Sequence, residues 1–236
     1  MPARPIALTC GEPAGIGPEL AAKAWHALKD EISFIWIGDP GHLPPGTPHV
    51  ILQSVTEACA IMPRALPVLA QTFDGAVTPG TPQPHHASDV IEAIAAGARL
   101  ALSGEVAALC TMPINKQALQ DGGSFAFPGH TEFLGALAGG ITPVMMLVSD
   151  MLKVVPVTIH TPLRDVPDQL TQSLLEETIQ ITQAALRRDF GILHPRLAIS
   201  GMNPHAGEGG KIGREEQDVI IPVLDRLRAA GYRLSG

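Results

Sequence analysis

"PIALTCGEPAGIGPELAAKAWHALKDEISFIWIGD" spans residues 5–39, and the order of its apolar runs decides the fold. "PIALTC" (5–10) reads as a buried strand and "GEPAGIG" (11–17) as a glycine-rich turn. "PELAAKAWHALKD" (18–30) opens a helix with Pro18 in its first turn, where a missing N–H does little harm. "FIWIGD" (34–39) is the next strand. Strands alternating with helices imply an α/β sheet covered on both faces.

The alternation continues along the chain. "VILQ" (50–53) is a short strand, and Ser88 or Asp89 can cap a helix whose apolar residues Ile91, Ile94, Ala95, Ala98 and Leu102 recur at helical spacing. "VAALCTM" (106–112) is a strand, followed after Pro113 by the helical "INKQALQ". "VMMLVS" (144–149) and "KVVPVTIH" (153–160) are too close together to be anything but antiparallel neighbours, so the sheet is expected to be mixed. Pro156 marks the second as an edge or bulged strand. A helix near 171–189 can be capped by Thr171, or by Ser173 with Glu176. "RLAIS" (196–200), a helix over 219–231 and a strand start at Tyr232 to Leu234 complete the pattern. In such folds ligands sit outside the carboxyl ends of the strands, which selects the loops after Cys10, Met112, Ile159 and Ser200.

Composition limits the function. Hydrophobic residues make up 45% and aromatics only 4%, so a core of Ala, Leu, Ile and Val is expected. A net charge of -7 counts against nucleic-acid binding through a general basic surface. The three cysteines, Cys10, Cys59 and Cys110, are widely spaced and form no C-x-x-C, which points to a reducing compartment. No apolar run reaches transmembrane length, so no membrane partner and a cytoplasmic location are expected.

Five stretches can carry chemistry. "TCGEPAGIGPEL" is neither a Walker loop nor a dinucleotide fingerprint; it is a tight turn, or a loop whose N–H groups face a ligand, although Glu12 would repel a phosphate. Lys116 in "TMPINKQAL" stands at a helix start, where a cation is disfavoured, so it is a candidate for contacting a substrate carboxylate or phosphate. "FPGHTEFLG" sets His130 before Thr131, itself a possible helix cap. "VTIHTPLRDVP" ends a strand with His160, and Asp165 can either pair with Arg164 or orient a histidine. "SGMNPHAGEGGKIGREE" (200–216) places Asn203, His205 and Glu208 in a glycine loop. Two histidines at two strand ends are compatible with a divalent metal, but zinc-type sites need three or four ligands. Read from the residues alone, the chain is an α/β enzyme with an imidazole-rich cleft, and a metal-dependent hydrolase or lyase remains open.

Those stretches, in that order, resemble the 4-hydroxythreonine-4-phosphate dehydrogenase family of vitamin B6 biosynthesis. The matching segments, "GEPAGIGPE", "PINKQAL", "PGHTEFLG", "VVPVTIHTPLRDVP" and "GMNPHAGEGGKIGREE", cover the chain from Gly11 to Glu216. The resemblance implies an isocitrate/isopropylmalate-dehydrogenase-like fold with two α/β/α lobes around a cleft, here residues 1–125 and 126–236, and a homodimer with the active site at its interface. It implies NAD or NADP, and a divalent metal (Zn, Mg or Co) held by three histidines, of which His160 and His205 match two. His130 and Thr131 match the pair that binds the phosphorylated substrate. Lys116 and Asp165 are the candidate catalytic groups, and Asn203 lies in the same motifs. The implied reaction oxidises 4-phosphooxy-threonine by hydride transfer, with loss of CO2 to give 3-amino-2-oxopropyl phosphate. A phospho-erythronate or phospho-threonate dehydrogenase, or a silent ligand-binding paralogue, are the alternatives. Chains of the family run on past the matched region. There they carry the third histidine, in a His-Asp-Gln-Gly-type stretch, and most of the nucleotide site, so the expected fold lacks its C-terminal part.

Overall fold

The computed structural model describes residues 4–123 and 125–236, in two compact units, Met1–Pro143 and Val144–Gly236. The first unit holds β1 (Ile6–Thr9), β2 (Phe34–Gly38), β3 (His49–Ile51), β4 (Leu66–Ala70) and β5 (Ala108–Cys110). They form one sheet in the order β3-β4-β2-β1-β5, with every pairing parallel. Its helices are α1 (Gly17–Leu28), α2 (Ala58–Ile61), α3 (Ala87–Ser103), α4 (Lys116–Asp121) and α5 (His130–Leu137).

All five residues of β2 are buried, which is why "FIWIG" is apolar throughout instead of alternating: a parallel strand is covered on both faces. Ile35, Trp36 and Leu66 have no exposed surface, and α3 adds Val90, Ala93 and Ile94 to the same core. Both tryptophans lie there despite the low aromatic content; Trp25 reaches its polar partner by donating from Nε1 to the Met62 carbonyl at 2.9 Å.

β4 was not foreseen. Pro67 lies in its middle and removes a ladder donor, which argues against a central strand. Yet the strand pairs with both β2 and β3, held by the burial of Leu66 and Val68. The start of α3 also differs from expectation. The helix begins at Ala87, after the Pro84–His86 turn, without a side-chain cap. Asp89 stays in the first helical turn and accepts the Asp74 N–H at 3.4 Å, a position that suits the helix dipole.

The compact units divide after Pro143, where the sequence reading placed a boundary at 125. The physical reason is aromatic: Phe125, Phe127 and Phe133 stack on one another and join the first core.

The second unit holds β6 (Leu147–Val148) and β7 (Lys153–Val154), paired antiparallel. It also holds α6 (Val166–Gln169), α7 (Gln172–Arg188), β8 (Arg196–Ala198), α8 (Ile221–Ala229) and β9 (Arg233–Ser235). The expected hairpin is thus present, but as its own two-stranded ladder and not as part of the five-stranded sheet, whose pairings are all parallel, and β7 stops before Pro156. Thr171 caps α7 by accepting the Leu174 N–H at 3.2 Å. β9, at the expected strand start, pairs parallel with β8. Leu175, Ile179, Val223, Leu224 and Leu227 form this unit's core, with Leu197 and Leu234 of the strand pair against it. Among the described residues no helix is long and apolar enough to cross a membrane.

Candidate active site

The first loop is closed on itself. Glu12 is buried; its Oε1 accepts the Ala14 N–H at 3.1 Å and its carbonyl accepts the Gly15 N–H at 3.0 Å. The Glu12 N–H in turn donates to the Pro113 carbonyl at 2.9 Å, and the Met112 N–H donates to Thr9 Oγ1 at 3.3 Å. The loops after β1 and β5 are therefore laced together at the carboxyl end of the sheet. Three of the loop's amide donors are already engaged, so it does not offer an open phosphate cradle. A cavity of about 490 Å3 lies along its outer side, but the carboxylates lining it are Glu19 and Asp39 and among the described residues no lysine or arginine does so, which disfavours an anion there.

The cationic corner follows the loop after β5. Asn115 caps α4 by accepting the Ala118 N–H at 2.9 Å, which sets Lys116 at the first helical position. Its ammonium lies against Gly129, 3.5 Å from where a Cβ would stand there. His130 begins α5 with Gly129 as its cap, so Thr131 is a residue of the first helical turn and does not cap it. His130 is half-buried, and its Nε2 is buried without a partner among the described residues. Burial, and secondarily the Lys116 charge, hold the imidazole below its ordinary pKa of 6.5. A neutral half-buried imidazole beside an ammonium is arranged to receive an anion. The linkage can be tested. The folded value lies below 6.5, so as pH falls through 6.5 the unfolded chain takes up the proton first and stability is lost; above that window the group has no effect. His130→Gln is expected to flatten this acid limb in urea-unfolding midpoints measured across pH. His42, also depressed chiefly by burial, leaves a residual slope.

In the second unit His160 has an exposed side chain on a left-handed backbone, φ 56°, a strained conformation for a residue with a Cβ. Asp165 stands 3.5 Å from Arg164 Nε. His205 is 66% exposed, with Nδ1 2.9 Å from Glu208 Oε1 and its N–H on Asn203 Oδ1 at 2.9 Å. A carboxylate only accepts, so Nδ1 carries the proton and Nε2 presents its lone pair outward, as metal-ligating imidazoles do. The donor set fits a divalent metal as part of a coordination sphere. Among the described residues no three His, Cys, Asp or Glu side chains group to hold an ion. Sequence reasoning passed over Glu216, a buried acid that reaches into this loop. The signal was present in "GREEQDVIIP", where two acids precede a helix.

Comparison with known proteins places these features. Residues 31–236 match the family described as pyridoxal phosphate biosynthetic protein PdxA. A 4-hydroxythreonine-4-phosphate dehydrogenase of Roseobacter denitrificans is 52% identical over 233 residues, covering 98% of this chain and 72% of the relative. One from Ruegeria sp. is 51% identical over 231 residues, covering 98% and 71%. The crystal structure of the Klebsiella pneumoniae 4-hydroxythreonine-4-phosphate dehydrogenase superposes with a TM-score of 0.89 at 33% identity, covering 99% of this chain and 74% of that one. Fold and relatives together define an NAD(P)-dependent dehydrogenase acting on a CH–OH group, on an isocitrate/isopropylmalate-dehydrogenase-like α/β scaffold. The chain belongs to the pyridoxal phosphate biosynthetic protein PdxA family.

Proposed function

We propose that the chain oxidises 4-hydroxythreonine 4-phosphate with NAD(P), with decarboxylation to 3-amino-2-oxopropyl phosphate, in pyridoxal phosphate biosynthesis. The observation that carries the substrate class is the meeting of Lys116 with the half-buried His130 at the start of α5. In this reading His130 and Thr131 bind the phosphate, and Lys116 supplies charge. His160 and His205 hold the divalent metal, whose contribution is Lewis acidity at the reacting hydroxyl. Asp165 belongs to the loop that carries His160. These groups address phosphate and metal, so they suit a related phosphorylated hydroxy acid equally well.

The test is NAD(P)H formation at 340 nm with the phosphorylated amino acid, against phospho-erythronate and phospho-threonate. Lys116→Ala is expected to raise KM by about 10- to 100-fold with little change in kcat, matching the ~1.5–3 kcal/mol of a hydrogen bond to a charged group. A loss confined to kcat would instead set Lys116 at the reacting atoms.

A homodimer completes the proposal, with the active site at the interface. The β6–β7 hairpin exposes Leu147, Val148 and Leu152, and Met151 at its tip is 94% exposed. An apolar ribbon of this kind is an interaction surface, and a second copy is the partner that suits it. Val148→Asp with Leu152→Asp is expected to shift the protein from dimer to monomer by light scattering. The phosphorylated substrate and the nicotinamide are metabolites of the cytoplasm, where we place the chain.

A further inference from the structure

The glycine loop under His205 is held in an unfavourable backbone conformation. Ala206 and Glu208 are left-handed, with φ of 46° and 42°, and Gly207, Gly209 and Gly210 continue the run. Non-glycine residues in this region are strained and persist only where the surroundings over-determine them. Two consecutive side chains do so here. Glu216 and Gln217 open the π-turn Glu216–Ile220 that leads into α8. Gln217 grips the loop from outside, donating from Nε2 to the Gly209 carbonyl at 3.0 Å. Glu216 fills it from inside.

Glu216 is 8% exposed. Its Oε1 accepts the Met202 N–H at 2.8 Å, joining the start of the loop to the start of the helix. Its Oε2 is buried without a partner among the described residues. The backbone closes on that oxygen at Gly207, where a Cβ would lie 2.7 Å from Oε2 and 2.7 Å from the Gly213 carbonyl. The loop is therefore folded around this one carboxylate. Burying an unpartnered carboxylate oxygen costs stability. The geometry points to Glu216 as a positioning residue: it holds the left-handed turn that aims the His205 imidazole, and it does not itself touch the ligand.

This rests on the reading of His205 as a metal ligand, and the experiment separates the two. Co2+ alone is titrated into the intact protein and followed by its visible absorption, in parallel with amide hydrogen exchange of residues 201–210. Glu216→Ala is expected to weaken Co2+ binding by about 10- to 100-fold, the usual effect of removing support from a ligating histidine, and to accelerate exchange at Met202 and across the turn. Glu216→Gln, which keeps the acceptor for Met202, is expected to restore most of the affinity. Gly207→Ala disturbs the same contact from the loop side and is expected to weaken Co2+ binding likewise, which covers the case of an alanine variant that does not fold. If the Glu216 and Gly207 variants bind Co2+ as the wild type does while His205→Ala has lost it, the proposal is overturned and the ligand reading stands. If His205→Ala binds Co2+ normally, the ligand reading fails first and the proposal with it.

Discussion

Replacing His205 with alanine is expected to weaken divalent-metal binding by more than about 100-fold and to lower metal-dependent NAD(P)H formation in proportion, since removing a ligand costs more than the 10- to 100-fold of losing its hydrogen-bond partner. His160→Ala should behave the same way, and the combined loss in the double variant should fall short of the sum of the two if both imidazoles serve one ion. The structure makes the expectation specific to one atom. His205 Nδ1 is engaged by Glu208, so Nε2 does the binding. Glu208→Gln, which can still accept from Nδ1 but carries no charge, should cost only a few-fold. Metal affinity is the first measurement and turnover the second. A His205→Ala protein with unchanged affinity would remove this histidine from the site.

Gly17→Ala carries the largest expected loss of stability. A Cβ there would lie 2.0 Å from the Cys10 carbonyl oxygen and 3.2 Å from its carbon. The obstacle is the backbone of the residue following β1, which cannot rotate away, so α1 must lift off the end of the sheet. Overpacking of this kind costs about 3 kcal/mol, read as a lower urea midpoint by tryptophan fluorescence, since Trp25 and Trp36 both report on this core. Gly46→Ala is the contrast. Nothing lies within 4 Å of its Cβ, but its φ is +81°, so only the strain of about 1 kcal/mol is expected. Equal losses at the two positions would show that the helix does not approach the strand so closely.

Much of this architecture was legible in the residues because burial writes itself into pattern. "FIWIG" is apolar throughout because both faces of a parallel sheet are covered, and Thr171 declared its helix through cap chemistry. β4 was hidden because Pro67 speaks against a central strand locally, while the packing that overrides it comes from residues far away in sequence. The start of α3 was misplaced because Ser88 and Asp89 are good caps in isolation, whereas the Pro84–His86 turn sets the boundary. The site divides in the same way. His130 opens α5, and His160 and His205 stand out as imidazoles in the loops after apolar runs although β7 and β8 end several residues before them, so their positions could be read. Glu216 could not, because its role depends on a loop folding back on it across 14 residues to Met202.

The self-closed first loop has a consequence for how a ligand is chosen. Its amides at Glu12, Ala14 and Gly15 are spent on the protein itself, so an anion arriving at this end of the sheet finds a rigid rim that needs no reordering and gives little electrostatic welcome. The positive charge nearest His130 there is that of Lys116, with the Glu132 carboxylate equally close to Gly129. Screening by salt should weaken substrate capture as it would for one ion pair, and discrimination among phosphorylated acids falls to the shape of the molecule beyond its phosphate.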